Sequence, residues 1–239
     1  MKHYIDQAKS EVNQWKVKVN KKPTVIDNLT RKSQQKINSI LPDKYHTIMT
    51  EAIKNISKAV ISGSEFITKK TYNNMSFYDR EELVRKKIET YKTTAMIEGA
   101  GTGAGGFFVG LADFPLLLTI KFKFLFDVAS IYGFDVRDYK ERLFILHVFQ
   151  LAFSSKNHSN KIFSEIENWQ EYSRSLPSDI NEFDWKTFQQ EYRDYIDLAK
   201  LLQMLPAVGA FVGAYVNSKL LDKLGETVMN CYRMRLLYK

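Results

Sequence analysis

Six of the chain's eleven glycines fall between Gly99 and Gly110, and the stretch from Gly99 to Ala112 contains no charged residue. Each glycine placed inside a helix costs about 1 kcal/mol relative to alanine, so such a segment needs compensation from close packing or from a membrane. The spacing points to packing. Gly99 and Gly103, Gly101 and Gly105, and Gly106 and Gly110 each stand four apart, which on a helix leaves a groove free of side chains where a second backbone fits. Near the C-terminus, Gly209-Ala210-Phe211-Val212-Gly213 repeats Gly106-Phe107-Phe108-Val109-Gly110 almost residue for residue. The expectation is a tight helix crossing built on Gly99, Gly103, Gly106, Gly110, Gly209 and Gly213.

The string Gly101-Thr102-Gly103-Ala104-Gly105-Gly106 also satisfies G-x-G-x-x-G, with Asp127 downstream where a ribose-binding acid would be sought. That fingerprint works only when a strand delivers the glycines to a helix N-terminus, and the residues before it, Arg85 to Ala95, have helical periodicity. No cofactor is expected. The uncharged stretches 99–112 and 201–218 are interrupted, around their edges or within, by Asp113, Pro115, Pro206 and Asn217, so neither makes a convincing membrane span. A buried hairpin fits them better.

Elsewhere the chain reads as helix after helix. Ile5, Ala8, Val12, Trp15 and Val19 recur at steps of three and four, as do Ile48, Ala52, Ile56 and Val60 on to Ile67, and Val84, Ile88, Tyr91 and Ala95. Ser76 and Asp79 resemble a capping box, Asp113-Phe114-Pro115 a helix start, and Gly133 a C-terminal cap. A helix from Tyr139 to Phe153, opened by Asp135 or Asp138, is apolar on most sides and therefore buried. The polar run Ser154 to Asn160 reads as a surface loop, further helices are expected around Ile162 to Trp169 and from Asp184, and a last stripe runs through Leu224, Val228, Tyr232 and Leu236. The fold class is all-α, with about seven or eight helices. The chain divides into a basic N-terminal segment, 1–44, and a helical domain, 45–239.

Charge is uneven. Residues 1–98 hold 19 Lys and Arg against 11 Asp and Glu, whereas the remaining residues hold 16 of each, so the whole net charge of +8 resides in the first part. Such a face suits an anionic partner, either a membrane surface or a membrane protein complex. The contact residues expected are Trp15, Lys16, Lys18, Lys21 and Lys22 on a basic amphipathic helix, although the stripe is narrow and better describes a helix docked on a core. No nucleic acid is expected, because no recognition motif accompanies the basic helices. The opening residues lack the apolar run of a secretory signal, so the expectation is a cytoplasmic protein, and the basic face adds the expectation of a peripheral position on the inner face of the cell membrane.

Catalytic constellations are sparse. The four histidines show no metal-ligand spacing, and the single Cys231 excludes an intramolecular disulfide and multi-thiolate metal sites, so no metal is expected. Glu98 and Asp113 bracket the glycine run and form the best carboxylate pair for a hydrolase or a lipid-modifying enzyme, provided a hairpin brings them together. Otherwise each serves as a cap or an ion-pair partner.

The run Glu98 to Gly106, then Gly110-Leu111-Ala112-Asp113-Phe114-Pro115, the ending Ile131-Tyr132-Gly133, and Pro206 to Ala210 with Asn217, Gly225, Tyr232 and Arg233 together resemble the EcsC family of bacterial proteins. The likeness covers about residues 45 to 238. It implies an all-helical domain, often encoded beside the Ecs ABC transporter, and it implies no established activity and no catalytic residues.

Overall fold

Local sequence sets the helix ends. In a computed structural model, which describes residues 2–21, 43–63, 66, 72, 74–103, 114–154, 156–182 and 210–238, eight α-helices form and no strand is present among those residues. They are α1 (Lys2–Asn20), α2 (Asp43–Ser62), α3 (Phe77–Gly103), α4 (Phe114–Tyr132), α5 (Tyr139–Phe153), α6 (Lys156–Glu167), α7 (Trp169–Ser175) and α8 (Ala210–Leu237).

Ser76 caps α3: its Oγ accepts from the Asp79 amide at 3.2 Å and donates to the Asp79 carboxylate at 2.7 Å. Gly133, at φ +92°, closes α4, with the Phe134 amide donating to the Ala129 carbonyl and the Gly133 amide to the Ser130 carbonyl. Asp138 opens α5 by accepting from the Lys140 amide at 2.9 Å. Two boundaries differ from the sequence expectation. α2 stops at Ser62 because Gly63 takes a left-handed conformation, φ +72°, whereas apolar spacing alone carried the helix on to about Thr71. The polar run from Ser154 is mostly the first turns of α6, and Ser154 and Ser159 are buried rather than on a loop. Polarity there belongs to a helix start, not to exposure. The helix expected from Asp184 lies outside the described residues.

α8 is the central column. It touches α1, α3, α4, α5 and α6, and its pairing with α3 is the most extensive in the fold. α4 and α5 are buried on nearly every side, and Phe122 stacks on Phe149 between them with ring centroids 4.6 Å apart. α2 packs on both, bringing Phe66 at its end against Phe122 and Phe126. The polar stripe of α4 is half-sunk: Asp127 is buried and receives Lys87 (2.9 Å), the Tyr91 hydroxyl (3.0 Å) and Lys123 (3.3 Å).

α3 and α8 run antiparallel, as the pairs Glu81 with Arg233 and Lys92 with Asp222 establish. The two helices are in tight contact at Gly225, where a Cβ would lie 2.8 Å from Ile88 Cδ1. Gly99 and Gly103 lie in the last turns of α3 and Gly213 in the first turn of α8, while Gly106, Gly110 and Gly209 lie outside the described residues. Gly225→Val should destabilise the fold by about 1–3 kcal/mol through overpacking, and Ile88→Ala should recover part of that loss, as read by denaturant unfolding of the single and double variants.

Candidate functional site

The sequence Tyr232-Arg233-Met234-Arg235 near the end of α8 directs two guanidinium groups and a phenol into the protein. Arg233 grips Glu81 of α3 in a bidentate fork, Nε to the carboxylate at 3.0 and 3.1 Å and Nη2 to Oε2 at 2.5 Å. Its Nη1 donates to Glu11 of α1 at 2.7 Å. Glu81 is 0% exposed and also accepts from the hydroxyls of Tyr132 on α4 and Tyr4 on α1. Four helices thus meet on one carboxylate and one guanidinium.

A second pair sits two residues further along α8. Glu141 of α5 is buried and accepts from the Tyr232 hydroxyl at 2.6 Å and from Arg235 Nη1 at 3.0 and 2.7 Å. The Arg235 guanidinium lies over the rings of Phe134 (3.9 Å) and Phe144 (4.2 Å). The Tyr132 and Tyr232 rings stack at 5.3 Å, so the two ion pairs share one aromatic partition.

Burial works against charge throughout this network, and partners decide the outcome. Burial alone would lower the Arg233 guanidinium, but the Glu81 carboxylate bonded to it raises it further above its ordinary range. Glu11 is held below the usual carboxylate range: burial pushes it up, and hydrogen bonds from Gln7 and Arg233 more than offset that. Glu141 is pushed up by burial, with Arg235 and Tyr232 opposing. Carboxylates already saturated by Arg and Tyr donors are poorly placed to accept a proton from a substrate. The arrangement instead joins helices.

The network reaches the surface at two cavities. One, of about 630 Å³, lies between α1, α3 and α8 and is bordered by Glu11, Lys21, Arg85 and Arg233. The other, of about 570 Å³, is bordered by Lys140, Glu141, Trp169, Arg235 and Tyr238. A third cavity, of about 620 Å³, adjoins the first across the Lys18–Glu226 ion pair.

The residues expected to carry function are scattered by comparison. Glu98 lies on the last part of α3 and Asp113 outside the described residues, so the carboxylate pair is not brought together among them. Trp15 is corrected: it is only 5% exposed, edge-on to Phe163 of α6, so its ring is used in docking α1 on the core rather than offered to a partner. Lys16 pairs with Glu167 at 2.7 Å and Lys18 with Glu226 at 3.1 Å. Lys21 is exposed, and Lys22 lies outside the described residues. His147 is a core imidazole, its Nδ1 on the Leu143 carbonyl at 2.8 Å, and Cys231 is a buried thiol pushed up by that burial.

Glu81, Glu141, Arg233 and Arg235 were not anticipated as a unit. A signal existed for the first: Phe77, Glu81, Val84, Ile88 and Tyr91 keep helical spacing, so the carboxylate stands inside an apolar stripe. Arg233→Met should cost about 3–5 kcal/mol by leaving the Glu81 charge buried and unpaired, and adding Glu81→Leu should recover most of it, as read by chemical denaturation.

Lys121 is the exception to this pairing. Its side chain is fully buried on α4, and its Nζ has no hydrogen-bond partner among the described residues. Burial lowers its pKa from 10.5 to about 8. The unfolded chain therefore binds more protons than the native one between these values, so stability rises as pH climbs from 8 to 10.5 and the penalty is fully present below 8. Lys121→Met should flatten that slope and stabilise the protein at neutral pH by on the order of 3 kcal/mol, as thermal melts across the pH range would show.

Comparison with known proteins matches the sequence to a family. The model of the EcsC protein family matches residues 6–237, a span that takes in α1 as well as the helical domain. The chain is 47% identical to Protein EcsC of Bacillus subtilis (strain 168), covering 95% of this chain and 94% of that one. It is 25% identical to the uncharacterized protein YdbA of the same organism, over 98% and 93% of the two chains. No solved structure matches.

Proposed function

The chain belongs to the EcsC family, and from that premise we propose that it is a non-enzymatic accessory protein working on the cytoplasmic face of a membrane, in the service of an ABC transporter system. The observation that carries this reading is the confinement of all +8 net charges to the first 98 residues. Several of these cations stand exposed: Lys2, Lys9 and Lys21 on α1, Lys54 and Lys58 on α2, and Arg85 and Lys86 on α3. A surface of that sign is drawn to the anionic headgroups of an inner leaflet, and the attraction fades with ionic strength.

The interior supports the same reading. The buried carboxylates of Glu81 and Glu141 are held by arginine and tyrosine, which suits a rigid body that presents a surface more than one that turns over a substrate. No described helix is long and apolar enough to cross a membrane, so attachment as proposed is peripheral.

Vesicles of one part phosphatidylglycerol to two parts phosphatidylcholine should carry the protein upward in a density gradient at low salt and release it at high salt. Neutral vesicles should not. Failure to float with anionic vesicles at low salt would remove the lipid version of the proposal.

A further inference from the structure

Seven large apolar side chains are exposed among the described residues, and four of them stand at one end of the helix bundle: Met96, Ile97, Leu116 and Tyr215. Their common position follows from the register of three helices. Lys92 pairs with Asp222 at 2.8 Å, which levels α3 with α8, and the Tyr91 ring meets Phe124, which levels α3 with α4. At 1.5 Å per residue, Met96 and Ile97 lie about 6–9 Å beyond that level, Tyr215 about 10 Å and Leu116 about 12 Å, all toward the same end. Isolated exposed apolar residues are ordinary, but a convergence from three helices is not.

We propose that this protein meets an anionic lipid bilayer end-on, inserting the tip formed by Met96, Ile97, Leu116 and Tyr215 into the headgroup region. The proposal rests on the membrane reading above and names the surface that makes contact. Three observations favour lipid as the occupant. First, Lys219, exposed one turn from Tyr215, places its ammonium 5.6 Å from the tyrosine ring. An aromatic with a lysine reaching back beside it is the pairing that stabilises proteins at a membrane–water boundary. Second, the described residues that continue α3 past Glu98, 99–103, and those that begin α8, 210–218, carry no charge, so these helix ends add no charge-transfer cost beyond that carboxylate. Third, the flank of α1 offers less than its composition promises. Trp15 is buried, and Lys16 and Lys18 are engaged by Glu167 and Glu226. The net +8 charge then acts at longer range, steering the molecule to an anionic surface, while apolar contact holds it there.

The test uses the full chain with one introduced cysteine, Ile97→Cys at the tip or Val17→Cys on the exposed side of α1, each labelled with an environment-sensitive dye; the native Cys231 is buried and will not compete. With the phosphatidylglycerol vesicles, dye at 97 should brighten several-fold and be quenched by brominated acyl chains, whereas dye at 17 should not change. The double variant Ile97→Asp, Tyr215→Asp should lower vesicle affinity about tenfold or more with an unchanged melting temperature, because both side chains are exposed. Flotation with brightening at 17 and none at 97 would overturn the tip while leaving the membrane reading intact. Absence of flotation would end both. Brightening at 97 without lipid, growing with protein concentration, would assign the tip to a second copy of the chain and overturn the lipid proposal.

Discussion

The fork between Arg233 and Glu81 is the interaction on which the fold most depends. Through it α8 holds α3, and through the additional partners Glu11, Tyr4 and Tyr132 it also holds α1 and α4. A charge pair withdrawn from water seldom adds much stability over well-packed apolar residues, since the cost of desolvating both ions roughly offsets their attraction. Its effect is on specificity. An apolar seam between α3 and α8 could slide by a turn at little cost, but a slide of one turn would part a buried carboxylate from its guanidinium. The same pair fixes the height at which every neighbouring helix sits, including the helix ends that carry the exposed apolar tip.

Much of the architecture was legible in the sequence because helical periodicity and capping are local. The stripes through Ala8, Val12 and Trp15, and through Leu224, Val228 and Tyr232, are buried in the positions their spacing requires. Ser76, Asp138 and Gly133 act at helix ends as their chemistry suggests. Errors arose where a local cue had two readings. Gly63 ends α2 while the apolar spacing continues beyond it, and the polar residues after Ser154 suit a helix start as well as a loop.

The polar core was harder to read because its partners are far apart in sequence. Glu81 and Arg233 are separated by 152 positions and Glu141 and Arg235 by 94. Nothing in a single sequence states which acidic residue in one stripe will meet which arginine in another. Gly106, Gly110 and Gly209 of the expected crossing lie outside the described residues, and among those residues the tight contact of α3 with α8 falls at Gly225, an isolated glycine without a four-residue partner. Ile88 leans into the space its missing Cβ leaves, so one absent side chain suffices when the opposite residue is branched.

Two other arginines use their charge differently. Arg80 donates to the carbonyls of Tyr72, Met75 and Ile131, and Arg142 to those of Ile61, Val136 and Arg137. These oxygens belong to helix ends and to the turns and connections beside them, where helix carbonyls lack partners of their own. A guanidinium that binds main-chain oxygen is indifferent to which side chains its partners bear. Mutational drift in those turns is therefore tolerated wherever the path of the main chain survives, whereas buried Glu81 and Glu141 can change only together with the arginines they hold.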